Sequence, residues 1–496
     1  ELLGLIGFRT PAVIFVEDEA GLERVDLSSL ECERVVCKLV SEQMLHRFEH
    51  GGIRFARPAI DEIAGIFRDF ESIAAENDIT LQGMMIAEAI EGRDCIPHQL
   101  LLSLRQDASF GPVVFMGLGG VGTEIYKEGL KEERALFVRA AGDVPDEEGT
   151  ERALERTLFY PIVTGRTRIS AEPLVDSRKL TEAIDAFATL GRRFSPLSPS
   201  AATIDELEIN PLQLTDAGEI IPLDPMMKIS GSTSHMHHPP QSGIGKLLEP
   251  ETVLIIGASA NKINTGRIIL RNILGGGKIG ADNIYILHPE AKEIDGCRAY
   301  PSIDDLPVKA DMAVFTIPAN ERAAGLLERI IDSEKVSAIT VISGGFGETE
   351  SGKELEERLE EAIRKGRLEN GGGVVLNGPN CLGIVSRPGG YNTFFLPEYK
   401  LPFIGRYGER CAFISQSGAY LVTLVSNITK LINPKYMITY GNQMDLTATD
   451  YLIYMKDDPE IDLFVIYLEG FKPYDGERFL RVAKEIIARV RGYLLD

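Results

Sequence analysis

The chain has 496 residues, 44% of them hydrophobic and 25% charged, and carries a formal net charge of −22. That length allows about three domains, and the acidic balance argues against wrapping nucleic acid, which needs dense Lys and Arg on one face. Anionic nucleotides stay open, because local backbone N–H groups override the global field. No apolar run approaches the roughly 20 residues of a membrane span, so no membrane partner is expected.

The first residues, Glu1-Leu2-Leu3-Gly4, show no basic stretch leading into an apolar one, so no secretory signal is read. The six cysteines, Cys32, Cys37, Cys95, Cys297, Cys381 and Cys411, form no CxxC and lie in distant regions. Reduced thiols and a cytoplasmic location are the expectation.

In chain order, residues 1–229 mix strands (Ala12–Val16, Arg34–Leu39, Met84–Glu88, Val113–Met116) with helices (Ile60–Ala75, Leu180–Leu190), an α+β pattern. Residues 230–248 begin SGSTSHMHHPPQSGIG and read as a linker. His235, His237 and His238 within it have no acidic or Cys partner nearby in sequence, which favours solvated histidines over a metal site. From residue 249 to 397 the rhythm becomes βαβ. Strands at Thr252–Ile256, Ile284–Leu287, Met312–Ile317 and Ala338–Ile342 alternate with helices at Gly266–Leu274, Glu321–Ser333 and Glu354–Lys365, predicting a doubly wound parallel sheet. A further α/β unit from 398 to 496 has a strand ending CAFIS, a helical stretch through Leu424–Leu431, strand Leu463–Tyr467 and helix Glu477–Val490. It has few βα units for such a domain, so it is read as incomplete. The fold class is thus α/β and α+β multidomain.

Three groups of motifs carry chemistry. In the first region an apolar strand runs into Gly117-Leu118-Gly119-Gly120, where missing Cβ atoms let backbone amides approach phosphate oxygens. Glu208-Ile209-Asn210-Pro211 and then Asp224 offer a carboxylate, an amide oxygen and another carboxylate across two adjacent strands, a set suited to Mg²⁺. A plain polar strand edge before a turn explains them too. The turn itself is explicit, Thr215-Asp216-Ala217-Gly218 between two apolar runs. Upstream, RVVCKLVSEQMLHRFEHGGIRF puts Lys38 on a strand and His46 in the following loop.

This ordered set resembles the ATP-grasp domain of ADP-forming acyl-CoA synthetases. By that resemblance Lys38 neutralises nucleotide phosphates, Glu88 sits near the nucleoside, and Gly117, Gly119 and Gly120 cradle phosphate. Glu208, Asn210 and Asp224 hold Mg²⁺, and His46 is a relay or acceptor. Gln99 stands where the family has an acidic residue, Ser103 where it has Gly and Arg47 where it has Lys, and His50 replaces an acidic or small residue.

In the second region VLIIGASANKINTG makes a strand, a turn and a helix, a phosphate or dinucleotide turn that is not GxGxxG, so NAD is disfavoured. With YILHPEAKEIDGCRAYPSIDDLP, FTIPAN, ISGGFGE and NGPNCLGIV it resembles the CoA-binding domain of the same synthetases. The resemblance assigns CoA to Gly257, Ser259, Asn261, Lys262, Pro289, Ile317 and Pro318.

In the third region Ser415-Gln416-Ser417-Gly418 opens a helix, an anion site or an ordinary Ser cap. GNQMDLTATDYLIYMKDDPE and IYLEGF follow in the order of the family's ligase domain. By resemblance Glu469 orients a phosphorylated histidine, and helix N-termini at Ser417 and near Asn380 stabilise the phosphoryl group with Ser415. None of the seven histidines follows Glu469, so either the loop bearing the phosphorylated histidine was lost or, as the short third domain favours, that histidine lies outside these residues. The implied reaction is acyl-CoA + ADP + phosphate ⇌ carboxylic acid + CoA + ATP, with Mg²⁺, ATP/ADP and CoA as cofactor and substrates, in a homodimer. The alternative is a non-catalytic CoA or nucleotide sensor, or the scaffold part of a protein acetyltransferase.

Overall fold

The computed structural model describes residues 2–30, 32–41, 43, 51–90, 92, 97–120, 132–143, 147–168, 172–231, 238–369, 372–397, 409–428 and 432–493. Two compact units divide the chain, Glu1–Asp107 with Gly111–Ser234, and His235–Asp496 with Ala108–Phe110. No helix among the described residues is long and apolar enough to cross a membrane.

The first unit holds two antiparallel sheets. Four strands lie in the order Val13–Val16, Gly83–Glu88, Val35–Val40, Ile53–Ala56. Helix Ile60–Glu76 buries Ile63, Phe67, Phe70 and Ala74 in the core that includes Val35, Cys37 and Leu39 of the sheet. Those positions recur at helical spacing, so one apolar stripe is removed from water. The second sheet runs Pro225–Gly231, Ala202–Leu214, Gln99–Asp107, Gly111–Leu118, Leu136–Ala140, with Ile220–Pro222 also on Ala202–Leu214. Helix Ser177–Arg193, capped by the Asp176 carboxylate on the Arg178 N–H, buries Leu180, Ile184 and Phe187 in the core shared with this sheet. The Thr215–Gly218 turn is present: Gly218 N–H donates to Thr215 C=O at 2.9 Å, and Gly218 has φ +75°.

The second unit holds a seven-stranded sheet, in the order Glu293–Ile294, Cys297–Tyr300, Ile284–Leu287, Val253–Ile256, Ala310–Phe315, Val336–Val341, Val375–Asn377. Its pairs are parallel except the first hairpin. Val253–Ile256 is buried at every position, as a strand covered on both faces must be. Helix Thr265–Gly276 is capped at its start by Asn264 and ends at Gly277 in the left-handed region.

A five-stranded sheet follows, in the order Tyr391–Asn392, Ile384–Ser386, Pro434–Thr439, Glu409–Ser415, Leu463–Tyr467. Its first two strands fall within the stretch that the sequence groups with the CoA-binding domain. One apolar core spans both sheets, with Ile255, Ile286 and Val314 of the first and Ile414, Ile438 and Tyr440 of the second. Asn272 of helix Thr265–Gly276 donates to the carbonyls of Phe394 and Leu396 at 2.7 and 3.0 Å, fastening that helix to the segment after the second sheet's edge strand.

Two local expectations need correction. Residues 241–248, read as the end of a linker, form helix Gln241–Leu248, whose Ile244, Leu247 and Leu248 are buried. Their i, i+3, i+4 spacing is an amphipathic signal too short to stand out beside the Gly and Ser around it. Near Asn380 no helix begins; Gly378–Asn380 is a loop leading to strand Ile384–Ser386. His235 and His237 lie outside the described residues, as does Cys95. Cys32, Cys37, Cys297, Cys381 and Cys411 are free thiols. Burial pushes Cys37 and Cys381 up to about 12 and Cys297 up to about 11, so these three are packing groups and not thiolate nucleophiles.

Candidate functional site

In the first unit the residues singled out by sequence converge. Lys38, buried on its strand, pairs with Asp224. Asp224 has φ +48° and directly precedes Pro225, which stands opposite Ile209, so it lies beside Asn210 in register. The Asn210 side-chain oxygen accepts from the Gly120 N–H at 2.9 Å, tying the ligand strand to the Gly-rich turn. That turn requires glycine. A Cβ on Gly119 would lie 2.4 Å from the Leu100 carbonyl group, and Gly120, at φ +66°, packs against the Gln99 side chain. Gln99, one of the departures from the family pattern, therefore lines the turn itself.

Glu208 is engaged by Arg105 at 2.7 Å, and Glu88 by Arg9 at 2.7 Å, while Arg9 also holds Glu219 at 2.8 Å. Arg9 and Arg105 are missed by motif reading, because a lone Arg carries no spacing signal. Gly117 is still within the strand, one residue from its end, paired with Leu101 and Leu136. His46, with Arg47 and His50, lies outside the described residues. Among the described residues no group of three His, Cys, Asp or Glu side chains is arranged as a metal site. Glu208, Asn210 and Asp224 nonetheless supply only oxygen donors, which fits Mg²⁺ shared with nucleotide phosphates better than a cage built wholly from protein.

In the second unit Gly257, Ser259, Asn261 and Lys262 follow strand Val253–Ile256, Pro289 follows Ile284–Leu287, and Ile317 and Pro318 follow Ala310–Phe315. All lie at carboxyl ends of adjacent parallel strands, and the chain reverses direction across the sheet between Val253–Ile256 and Ala310–Phe315, where open α/β sheets hold ligands. Gly257 has φ +97°, and a Cβ there would meet Thr316 Oγ1 at 2.6 Å.

The organiser of this turn is Asn264. Its side-chain oxygen accepts from the N–H groups of Ser259 and Arg267, both at 3.1 Å, and its amide donates to the Gly257 carbonyl at 2.8 Å. Ser259 Oγ in turn accepts from the N–H groups of Asn261 and Lys262 at 3.3 Å. Arg267 donates to the Ala260 carbonyl at 3.1 Å and grips Asp295 through two nitrogens at 3.0 and 2.6 Å. The guanidinium groups of Arg267 and Arg271 hold the Asp295 carboxyl well below the usual carboxylate range. Asn264 directly precedes a helical run and carries an N-cap side chain, a signal present in the sequence; the Arg267–Asp295 clamp joins positions that only the fold brings together.

Ser415, Ser417, Asn380 and Glu469 come together at the carboxyl edge of the second sheet. Ser415 Oγ donates to the Ser417 carbonyl at 2.7 Å, and Ser417 Oγ accepts from the Tyr420 N–H at 3.3 Å, capping helix Gly418–Ile428. Asn380, at φ +56°, donates its side-chain amide to Asn442 at 3.3 Å. Gly441 stands so close that a Cβ would lie 2.1 Å from the Pro379 carbonyl oxygen. Glu469 is exposed, just beyond the end of strand Leu463–Tyr467.

The family models match three segments of the chain: an ATP-grasp domain over residues 1–229, a CoA binding domain over 251–387 and a succinyl-CoA ligase-like flavodoxin domain over 408–491. Together these are domains of the succinyl-CoA ligase-like type. ADP-forming acetate–CoA ligase II of Archaeoglobus fulgidus is 26% identical over 97% of this chain and 64% of its own length. The α subunit of ADP-forming acetate–CoA ligase I of Pyrococcus furiosus is 35% identical over 48% of this chain and 49% of its own. A solved acetyl-coenzyme A synthetase 1 of Ca. Korarchaeum cryptofilum, in complex with phosphate and ADP, is 31% identical with TM-score 0.43, covering 49% of each chain. The chain carries an ATP-grasp, a CoA binding and a succinyl-CoA ligase-like domain in succession, and over nearly its whole length it is similar to an ADP-forming acetate–CoA ligase. It spans less than two thirds of the length of these relatives.

Proposed function

We propose that this chain is the nucleotide- and CoA-handling part of an ADP-forming acyl-CoA synthetase, acting reversibly on acyl-CoA, ADP and phosphate. Phosphate attacks the thioester carbonyl, giving an acyl phosphate and releasing CoA. A histidine then takes the phosphoryl group, freeing the carboxylic acid, and passes it to ADP. Two phosphoryl transfers replace one, and positioned donors supply most of the barrier lowering.

The observation that carries this reading is the convergence of Ser415–Gly418, Gly378–Asn380, Gly441–Gln443 and Glu469 on one sheet edge, within the unit that also holds the Gly257–Asn264 turn. In that arrangement the first N–H groups of helix Gly418–Ile428 and the Ser417 hydroxyl face an incoming phosphate. Glu469 orients the imidazole and stabilises its charged form. Gly257, Ser259, Asn261, Lys262, Pro289, Ile317 and Pro318 form the CoA surface. In the first unit Lys38 neutralises phosphate charge, Glu88 faces the nucleoside, and His46 serves as relay. Glu208, Asn210 and Asp224 would hold Mg²⁺, which when bound offsets the negative charge of the nucleotide phosphates.

The test is calorimetry with CoA and NAD together with an assay of ATP formation from acyl-CoA, ADP and phosphate by the protein with the histidine-bearing segment supplied. CoA binding, no NAD binding and acyl-dependent ATP formation are expected. NAD binding in place of CoA would overturn the reading, and CoA binding without ATP formation would favour the sensor alternative.

A further inference from the structure

Glu469 lies beyond the end of a strand whose only paired neighbour among the described residues is Glu409–Ser415. A carboxylate that must present itself to an imidazole in one geometry needs more than an exposed loop on an edge strand, since loops there drift. Two glutamine side chains meet that need. Gln416 Oε1 accepts from the N–H of Glu469 at 2.8 Å and from the N–H of Gly470 at 3.3 Å. From the other side Gln443 Nε2 donates to the Gly470 carbonyl at 3.0 Å. The Gln416 backbone N–H donates to the Tyr467 carbonyl at 3.0 Å, so one residue holds both the strand end and the loop after it.

Both glutamines are themselves fixed. Gln416 sits between Ser415 and Ser417, whose hydrogen bond closes the turn. Gln443 is 7% exposed, has φ +50° and donates its N–H to the Tyr440 carbonyl at 3.1 Å. A positive φ at a residue other than glycine is strained, and it persists only where the surroundings hold it. Here it aims the amide at Gly470. Neither side chain is directed at a substrate-binding turn: Gln416 points its oxygen at the loop, and Gln443 its nitrogen.

We infer that Gln416 and Gln443 are positioning residues, a clamp on the backbone of Glu469 and Gly470 that sets the direction of the Glu469 carboxylate. This rests on the catalytic reading of Glu469 given above. The clamp also connects the two phosphate-facing loops, because Gln443 belongs to the Gly441–Gln443 segment packed on Asn380 and Gln416 to the Ser415–Gly418 turn. Both loops are therefore anchored to the Glu469 loop.

The test uses Gln416→Met and Gln443→Met, which keep side-chain length and delete the polar ends, with Gln416→Glu as the conservative variant that keeps the acceptor oxygen. Hydrogen exchange of the Glu469 and Gly470 amides reads the clamp directly. Exchange is expected to speed about tenfold or more in Gln416→Met, the effect of losing an ordinary hydrogen bond, and to return toward the parent rate in Gln416→Glu. The rate constant for ATP formation is expected to fall in both Met variants while KM for acyl-CoA and calorimetric CoA affinity stay within about twofold, the pattern of an interaction used in the chemical step. Unchanged amide exchange would overturn the clamp. Faster exchange with undiminished turnover would overturn its positioning role. Running Glu469→Gln alongside separates the two layers: if that variant also turns over normally, the catalytic reading of Glu469 has failed, whereas loss of turnover there alone refutes only the glutamines.

Discussion

Lys38 and Asp224 form an ion pair in which the Lys38 side chain is 10% exposed and that of Asp224 39%. A nucleotide that takes Lys38 must draw it from Asp224 and then place its phosphates near that carboxylate. The structure therefore predicts that nucleotide affinity depends steeply on a divalent cation and that Asp224 is the source of the steepness. Two unit charges 4 Å apart at an effective dielectric of 20 interact by about 4 kcal/mol. Solvent at Asp224 screens part of this, leaving about 1.5–3 kcal/mol, the range for hydrogen bonds to charged groups.

Asp224→Asn should thus strengthen metal-free nucleotide binding and weaken the metal-dependent gain, shrinking the ratio of Kd without to Kd with Mg²⁺ by about tenfold or more. Calorimetric titration of ADP into parent and variant, with Mg²⁺ and with chelator, measures all four constants. Lys38→Met is expected to lose affinity in both conditions, and CoA affinity should be unchanged throughout because the residues proposed for CoA lie in the other unit. An equal metal ratio in parent and Asp224→Asn would refute the reasoning.

Asn264→Ala removes the helix cap and the bonds to Ser259 and Gly257, and should cost about 1–2 kcal/mol of stability in the second unit and weaken CoA about tenfold, leaving ADP affinity intact; thermal unfolding and calorimetry read both effects. The Asp295 carboxyl is held low by Arg267 and Arg271, so its stabilising contribution is complete above the unfolded carboxylate pKa of about 3.9 and is lost as pH falls below it. The stability advantage of the parent over Asp295→Asn, followed by denaturant unfolding, should accordingly be constant near neutrality and shrink from about pH 4 downward; an advantage that instead grows on acidification would contradict the sign.

The sequence by itself determined most of the elements. Val253–Ile256 and Ile284–Leu287 are legible as buried strands because β-branched runs bounded by turn residues have few other solutions. The Gly257 and Gly119 turns are legible because only glycine tolerates the close backbone approach found there. Helix Gln241–Leu248 and the loop at Asn380 were decided by tertiary structure, the first by burial of a short stripe against the sheet, the second by a chain that must turn into an antiparallel strand.

The partners of the functional side chains were likewise decided only in three dimensions. Arg9 meets Glu88, Lys38 meets Asp224, and Arg267 meets Asp295. Gln416 reaches the Glu469–Gly470 loop from the neighbouring strand's end, and Gln443 from beyond the strand after that. A charge or an amide has no periodicity in sequence; its partner is fixed by which strand ends the packed core brings side by side.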